Sequence, residues 1–250
     1  MHSLTSILSI LAVIPCTLSA PSQFKARDGP TCDQYTPVQA GPYAVQNDAW
    51  GKDSGTGSQC AQIDGLDGGN LAWSTTFTWD GGPNSIKSYA NVEAAANTPC
   101  KPLNQYHNIP TSWSWSMSTN IVGDVSYDAF LGDSSCGGPG DPHKYEVMVW
   151  LAKLGTLQPI GSSQQTVQIG GSTYDLWSGT NDQTGAMVFS FVAGSQVQDF
   201  NGDLMDFFNY LVQNNGVDPS LFLTSIQAGT EVATGDNVKF TTSKYTISST

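Results

Sequence analysis

The sequence predicts an all-β sandwich of two packed antiparallel sheets with a single helix. Three observations lead there. About a dozen short runs alternate apolar and polar residues, and Gly, Pro, Asn and Asp punctuate them. Only 12% of the 250 residues are charged, against roughly a quarter in an average domain, and strand- and turn-favouring residues fill the gap. One stretch alone has the 3.6-residue period of a helix, with Leu204, Phe207, Phe208 and Leu211 at i, i+3, i+4 and i+7.

In chain order, residues 1–20 read as a secretory signal. Leu4 to Leu18 is mostly apolar and ends in Leu18-Ser19-Ala20, a small-residue cleavage site. Residues 21–31 read as an N-terminal tail, and 32–250 as one catalytic-sized domain. Tyr43 to Asn47 reads as a short strand, followed by a Gly/Ser-rich loop to Cys60. Leu71 to Trp79 alternates, with Leu71, Trp73, Phe77 and Trp79 on one face, and Asp80-Gly81-Gly82-Pro83 ends it as a turn. Ser112 to Met117 and Val125 to Leu131 alternate again, before a loop holding Gly137-Gly138-Pro139-Gly140. Thr166 to Ile169 and Ser172 to Trp177 flank Gly170-Gly171 as a hairpin. Met187 to Ala193 is a strand. The helix follows, with Asn201 or Asp203 at its start and Gly216 at its end. Leu221 to Thr234 and Val238 to Ile247 close the chain as two strands.

The run Lys144 to Ala152 carries the functional signal. As a strand it places Tyr145, Val147, Val149 and Leu151 on one face, which reads as core. Glu146, Met148 and Trp150 share the other. A carboxylate in line with a thioether and an indole suits a cleft better than an interior, because an unpaired buried charge is costly. The chain holds three glutamates, Glu93, Glu146 and Glu231, and Glu231 also lies in a strand-like run. The bland reading is two surface residues on a solvated sheet. The sharper one is a carboxylate pair in an aromatic cleft, the apparatus of glycoside hydrolysis.

Other chemistries fit less well. Formal net charge is −12 and the nine basic residues are spread singly, which argues against nucleic-acid binding. No later stretch is long and apolar enough to span a bilayer. His107 and His143 have no Gly-x-Ser-x-Gly elbow beside them. Asp64, Asp67 and Asn70 lack the spacing of a calcium loop and read as a turn, so no metal and no cofactor are expected. Once Cys16 leaves with the signal, Cys32, Cys60, Cys100 and Cys136 remain for two disulfides in an oxidising compartment, with three pairings open.

From about Cys32 to Ile247 the chain resembles glycoside hydrolase family 12, fungal secreted endo-β-1,4-glucanases. The resemblance is carried by Asn47-Asp48-Ala49-Trp50-Gly51, Ser126-Tyr127-Asp128-Ala129-Phe130, Tyr145 to Leu151, Gln158-Pro159-Ile160-Gly161, and Gly229-Thr230-Glu231 with Thr234-Gly235. It implies a β-jelly roll of two curved sheets with one helix, acting as a monomer on a β-1,4-glucan (cellulose-like, mixed-linkage or xyloglucan). It also implies a retaining double displacement, with Glu146 as nucleophile, Glu231 as acid/base and Asp128 hydrogen-bonded to the nucleophile. Hydrogen bonding is expected to hold Glu146 low and the charge of Glu146 to push Glu231 up. Trp50, Asp48, Met148, Trp150 and Pro159 match sugar-contacting positions. Cys32 and Cys60 match a family disulfide, and Cys100 with Cys136 reads as an additional one. Asp48 stands where a second Asn is usual, and Val232-Ala233 where Pro or Ala precedes Phe. Ala233 is expected to face the cleft and leave room for a branched glucan. The competing reading is a non-catalytic glucan-binding sandwich or elicitor, which has no need of all three carboxyls.

Overall fold

The computed structural model describes residues 29–133, 136 and 142–250. The signal-like segment 1–20 and the loop residues 137–140 lie outside these. Fourteen strands and one helix are present among the described residues: β1 (Val38–Ala40), β2 (Tyr43–Gln46), β3 (Thr56–Asp67), β4 (Asn70–Asp80), β5 (Ser88–Glu93), β6 (Lys101–Pro102), β7 (Pro110–Met117), β8 (Val122–Gly132), β9 (Tyr145–Leu154), β10 (Ser162–Ile169), β11 (Ser172–Thr180), β12 (Met187–Ala193), β13 (Asp199–Asp203), α1 (Met205–Asn214) and β14 (Phe222–Ile247).

The strands form two layers. The front layer runs β1-β2-β5-β14-β8-β9-β12-β11-β10, and the back layer is β3-β4-β14-β7-β13. The expected pair of terminal strands is one continuous strand. The first half of β14 lies in the front sheet between β5 and β8, and the second half lies in the back sheet between β4 and β7. Register shifts near Val232 and between Gly235 and Val238 let the chain bend from one layer to the other instead of breaking. Pairing is antiparallel with one exception: β12 runs parallel to β9. The segment before Cys60, expected as a loop, is the first half of β3, paired residue for residue with β4. Its Gly and Ser residues suggest a turn, but edge pairing overrides weak local preference. β3 and β4 meet at Gly68-Gly69, both with φ > 0 (53° and 86°), so Asp64, Asp67 and Asn70 serve a hairpin.

The alternation reads through to the packing. Leu71, Trp73, Phe77 and Trp79 from β4 all lie in the core. So do Val147, Val149 and Leu151 from β9, and Tyr127 and Leu131 from β8. Trp113 is fully buried and donates its indole N–H to Thr242 Oγ1 at 2.9 Å. Its ring packs edge-on against Tyr127, Phe240 and Tyr245. The helix closes one end of the core, with Phe207 edge-on to Phe191 and Tyr174. Its first turn is served by Asp203, as expected: Asp203 Oδ1 accepts from Met205 N–H at 2.9 Å and from Ile109 N–H at 2.7 Å. Gly216 at φ 70° follows its end. Disulfides join Cys32 to Cys60 and Cys100 to Cys136. Thr31, expected in the tail, is already bridged to Ala61.

One buried cation ties the rim of the front sheet together. Lys87 has no exposed surface, and its ammonium donates to the carbonyls of Gly81, Gly82 and Ser85 at 2.5, 2.5 and 2.9 Å. Its backbone N–H donates to Val232 O, and its carbonyl accepts from Gly51 N–H. The residue thereby joins the turn after β4, the turn carrying Trp50, and β14. Charge-assisted bonds of this kind contribute more than neutral ones, and their loss leaves carbonyls without a partner. Lys87→Met is therefore expected to cost about 2–4 kcal/mol and to lower the Tm by roughly 5–15 °C. Urea and thermal unfolding measure this. A Tm within a degree of wild type would mean the three carbonyls are satisfied without the lysine.

Candidate active site

The outer face of the front sheet, away from the core, collects acidic side chains from three adjacent strands. On β8 the core takes Val125, Tyr127 and Ala129, leaving Asp124, Ser126, Asp128 and Phe130 outward. On β9 the outward set is Glu146, Met148 and Trp150, as the alternation predicts. On β14 Ile226 and Ala228 point to the core, and Glu231 stands opposite Tyr89 of β5. Pairing sets the spacing. Phe130 is opposite Glu146, and Asp128 is opposite Met148, so Asp128 and Glu146 are diagonal neighbours. Gln227 of β14 is opposite Asp128 from the other side.

Asp124, which the sequence reading did not single out, is the group most tightly bound to Glu231. It is fully buried. Its Oδ1 accepts from Ser126 Oγ at 2.8 Å and from the backbone N–H of Glu231 at 3.4 Å, and its carbonyl accepts from Thr230 Oγ1 at 2.6 Å. The two carboxyls also act on each other electrostatically, the charge of Asp124 raising the proton affinity of Glu231. Two glycines make this packing possible. A Cβ on Gly123 would stand 2.2 Å from the Glu231 carbonyl, and one on Gly229 would stand 2.1 Å from Ala90 O.

Burial governs the protonation of the whole group. It pushes Glu146 up to about 7, against the pull of a hydrogen bond from Asn181 in the β11–β12 turn. Asp124 is pushed up to about 7 by burial, and Asp48 to about 6 by the same cause. Asp128 is driven well above the usual carboxylate range by burial and then by the charge of Glu146. Glu231 is driven well above it by burial, then by Asp124, with Asp128 and Glu146 adding to the effect. The expectation that hydrogen bonding holds Glu146 low is therefore corrected: desolvation outweighs the single hydrogen bond. The order of the two glutamates is as expected, with Glu231 the more firmly protonated. A carboxylic acid and a group able to ionise near neutrality thus share one sheet face, which permits general acid catalysis and nucleophilic attack from the same cleft.

The remaining sequence candidates fall into two kinds. Trp50 is 47% exposed, on the turn whose Gly51 N–H donates to Lys87 O. Asp48 lies next to it at φ 41°, and its carbonyl accepts from Tyr89 N–H, directly across from Glu231. Met148 and Trp150, by contrast, are only 4% and 2% exposed. With Val188 and Val192 they form a small apolar cluster under the cleft, where the Trp150 indole N–H donates to Met148 Sδ at 3.4 Å. Leu157 and the part-exposed Trp177 pack on that cluster. Pro159 is buried in the same β9–β10 loop as Leu157. Ala233 has no exposed surface and lies at the register shift between Val232 and Thr234.

The missed residues differ in what could have revealed them. Asp124 sits at the same period-2 spacing as Ser126 and Asp128, but the expected strand began one residue too late. Asn181 and Trp177 carried no local signal, since only the parallel pairing of β12 with β9 brings their hairpin alongside Glu146.

The family model of glycosyl hydrolase family 12 matches residues 41–249. The chain is 45% identical over 245 residues to xyloglucan-specific endo-β-1,4-glucanase A of Aspergillus aculeatus, covering 96% of this chain and 98% of that one. Its fold is similar to the crystal structure of Trichoderma harzianum endoglucanase 3, with TM-score 0.81, 34% identity, and coverage of 93% and 100%. It is also similar to the catalytic domain of Humicola grisea Cel12A in complex with a thio-cellotetraose, with TM-score 0.82, 34% identity, and coverage of 89% and 99%.

The Asp124–Glu231 contact has a measurable consequence. An anionic Asp124 favours the protonated form of Glu231, so neutral Asn in its place removes that bias. Asp124→Asn is expected to lower the pH at which Glu231 titrates by about one unit or more. Carbon-13 NMR of labelled glutamate reads this directly, because the chain has only three glutamates. An unchanged or raised midpoint would show that burial alone holds the proton.

Proposed function

The chain belongs to glycosyl hydrolase family 12, and we propose that it is a secreted, endo-acting β-1,4-glucan hydrolase whose preferred substrate is xyloglucan. The observation that carries the reading is the placing of Glu146 and Glu231 on one outward sheet face, both largely enclosed and both within electrostatic reach of Asp128. A non-catalytic binder would have no use for so costly a group of acids. Two disulfides and a signal-like N-terminal segment support secretion. The similarity to a xyloglucan-specific relative supports the substrate.

In the proposed mechanism Glu146, as carboxylate, attacks the anomeric carbon from one face. The glycosidic C–O bond breaks as the proton of Glu231 passes to the leaving oxygen. Glu231, now a carboxylate, takes a proton from water, whose oxygen attacks the same carbon and releases Glu146. Asp128, protonated, can donate to the Glu146 carboxylate and then to the ester oxygen as charge redistributes. Trp50 offers its indole face to a glucosyl ring.

Glu146→Gln and Glu231→Gln should each lower turnover by about a hundredfold or more, with unfolding curves unchanged, and the first product from the wild-type enzyme should be the β-anomer in proton NMR. Glu93→Gln serves as the control. Glu93 is held by Ser225 Oγ at 2.8 Å on the same face but away from the carboxyl group cluster, so little loss is expected. Near wild-type turnover in either catalytic variant would overturn the assignment, and an initial α-product would mean inversion.

The substrate is tested by kcat/KM on xyloglucan against unbranched mixed-linkage glucan. The ratio should favour xyloglucan, and Trp50→Ala should lower kcat/KM on both by about 2- to 10-fold, the range of one lost stacking contact, chiefly through KM. Preference for the unbranched chain would keep the enzyme class and discard the xyloglucan reading.

A further inference from the structure

Two indoles keep accessible surface, and they flank the carboxyl row. Of the seven tryptophans, Trp73, Trp79, Trp113, Trp115 and Trp150 are buried, at 4% exposure or less. Trp50 and Trp177 are not. The acids of the row lie on β8, β9 and β14. In the front layer Trp50 follows β2, two strands before β14, and Trp177 lies on β11, two strands beyond β9.

Trp177 faces outward. Its neighbour Leu176 lies in the core, whereas Trp177 packs on the outward cluster of Met148, Trp150, Val188 and Val192. Pairing ties it to the row: Asp128 is opposite Met148, Met148 is opposite Ser190, and Ser190 is opposite Trp177. Ser190 Oγ is buried and has no hydrogen-bond partner among the described residues. A buried hydroxyl without a partner is costly, so this rung of the sheet lacks one hydrogen bond that a hydroxyl-bearing ligand can supply. The indole also stands beside a fixed wall. A Cβ on Gly161 would stand 1.9 Å from Ser178 O, and one on Gly179 would stand 2.4 Å from Gly161 Cα, so the β9–β10 loop is pressed against β11 next to Trp177. That loop brings Leu157 onto the same cluster and leaves Ile160 39% exposed. Four residues on from Trp177, roughly 13 Å along the strand, is Asn181, the amide that serves Glu146.

We propose that Trp177 is a second sugar platform, stacking on a ring of the bound glucan on the opposite side of the scissile bond from the ring at Trp50. This rests on the β-1,4-glucan hydrolase reading of the cleft. An endo-acting enzyme cuts inside a chain, so it must hold rings on both sides of the bond that breaks. On the side of β9, β12 and β11 the other tryptophan, Trp150, lies beneath the surface at 2% exposed, and Trp177 is the indole that a ligand can reach. β-1,4-Linked glucosyl rings carry their hydroxyls at the edge and present apolar faces, and an indole offers a large rigid apolar area with an N–H at its rim. The carboxyl row cannot supply this contact, because carboxyls meet hydroxyls and the reacting atoms, not ring faces. A platform at each flank sets which bond of a chain falls over the acids.

The test has two arms. In the first, cellohexaose with an isotope label at its reducing end is digested, and mass spectrometry of the early products gives the share of cuts at each bond. Removing a platform weakens the binding registers that use it and favours registers displaced toward the other side. Trp50→Ala and Trp177→Ala should therefore shift the cleavage pattern in opposite directions along the chain, each changing the ratio of neighbouring cuts by about 2- to 10-fold, the range of one lost stacking contact. Trp177→Tyr, which keeps an aromatic face, should restore most of the wild-type pattern. Shifts in the same direction overturn the proposal. So does a uniform fall in rate with an unmoved pattern in Trp177→Ala, which is what a packing role alone would give. The second arm needs no turnover. Calorimetry in the Glu146→Gln background measures the binding of cellohexaose and of a xyloglucan oligosaccharide, and adding Trp177→Ala should raise Kd by about 2- to 10-fold. An unchanged Kd for both overturns the proposal. If wild type cuts neither glucan, the hydrolase reading fails, and this arm still decides the role of Trp177.

Discussion

The structure is organised around the cost of taking carboxyl groups out of water. Asp124, Asp128, Glu146 and Glu231 occupy one face of three neighbouring strands, and burial is the largest cause of each one's raised proton affinity. They cannot all ionise together, because like charges at this spacing in a poorly solvated site exclude one another. Protons must therefore be distributed among them, and the distribution differentiates their chemistry. The pair Asp124–Glu231 retains a proton at the end of the row nearest Trp50. Glu146, at the other end, has a neutral amide at hand. Two identical side-chain types thus acquire opposite tasks from their surroundings.

Holding such a row in place requires a rigid backing, and β14 supplies it. Twenty-six residues run through both layers, so the strand carrying Glu231 is anchored in the front sheet by β5 and β8 and in the back sheet by β4 and β7. The aromatic core between the layers, built on Trp113, Tyr127, Phe240 and Tyr245, packs against the reverse side of the same strands. Close approach at Gly123 and Gly229 then brings β8 and β5 against β14 on either side of Glu231. Larger side chains there would separate the strands and with them Asp124 from Glu231. On the far side of the row, Met148 and Trp150 act beneath the cleft as an apolar floor under the parallel β9–β12 pair.

Much of this was legible in the sequence because period-2 alternation reports directly on which face a residue occupies. It sorted β9 residue by residue and put Leu71, Trp73, Phe77 and Trp79 on one face, and all four lie in the core. The 3.6 period found the single helix and Asp203 at its start. The failures share a physical cause. Alternation says which side a residue faces, not how deep it lies, so Met148 and Trp150 were given to the surface of the cleft when they form its floor. It also fails where the strand does. The register shifts between Val232 and Thr234, and Ala233, expected to face the cleft, has no exposed surface. Long-range pairings leave no local mark, and for that reason the places of Asn181 and Trp177 appear only in three dimensions.

The proposed mechanism needs one acid of a crowded row to become the anion. Burial favours the neutral form of every member, so the nucleophile cannot be ionised by its own environment alone. It is ionised by contrast with its neighbours. Asp128, driven well above the carboxylate range, keeps its proton and can face Glu146 as a neutral donor instead of a second anion. Glu231 keeps its proton through Asp124. The proposed mechanism gives the negative charge to Glu146, the carboxyl with a hydrogen bond from Asn181. On this argument the acid row is not a set of separately tuned residues. In the proposed mechanism, the proton held on each neighbour is what leaves Glu146 free to attack.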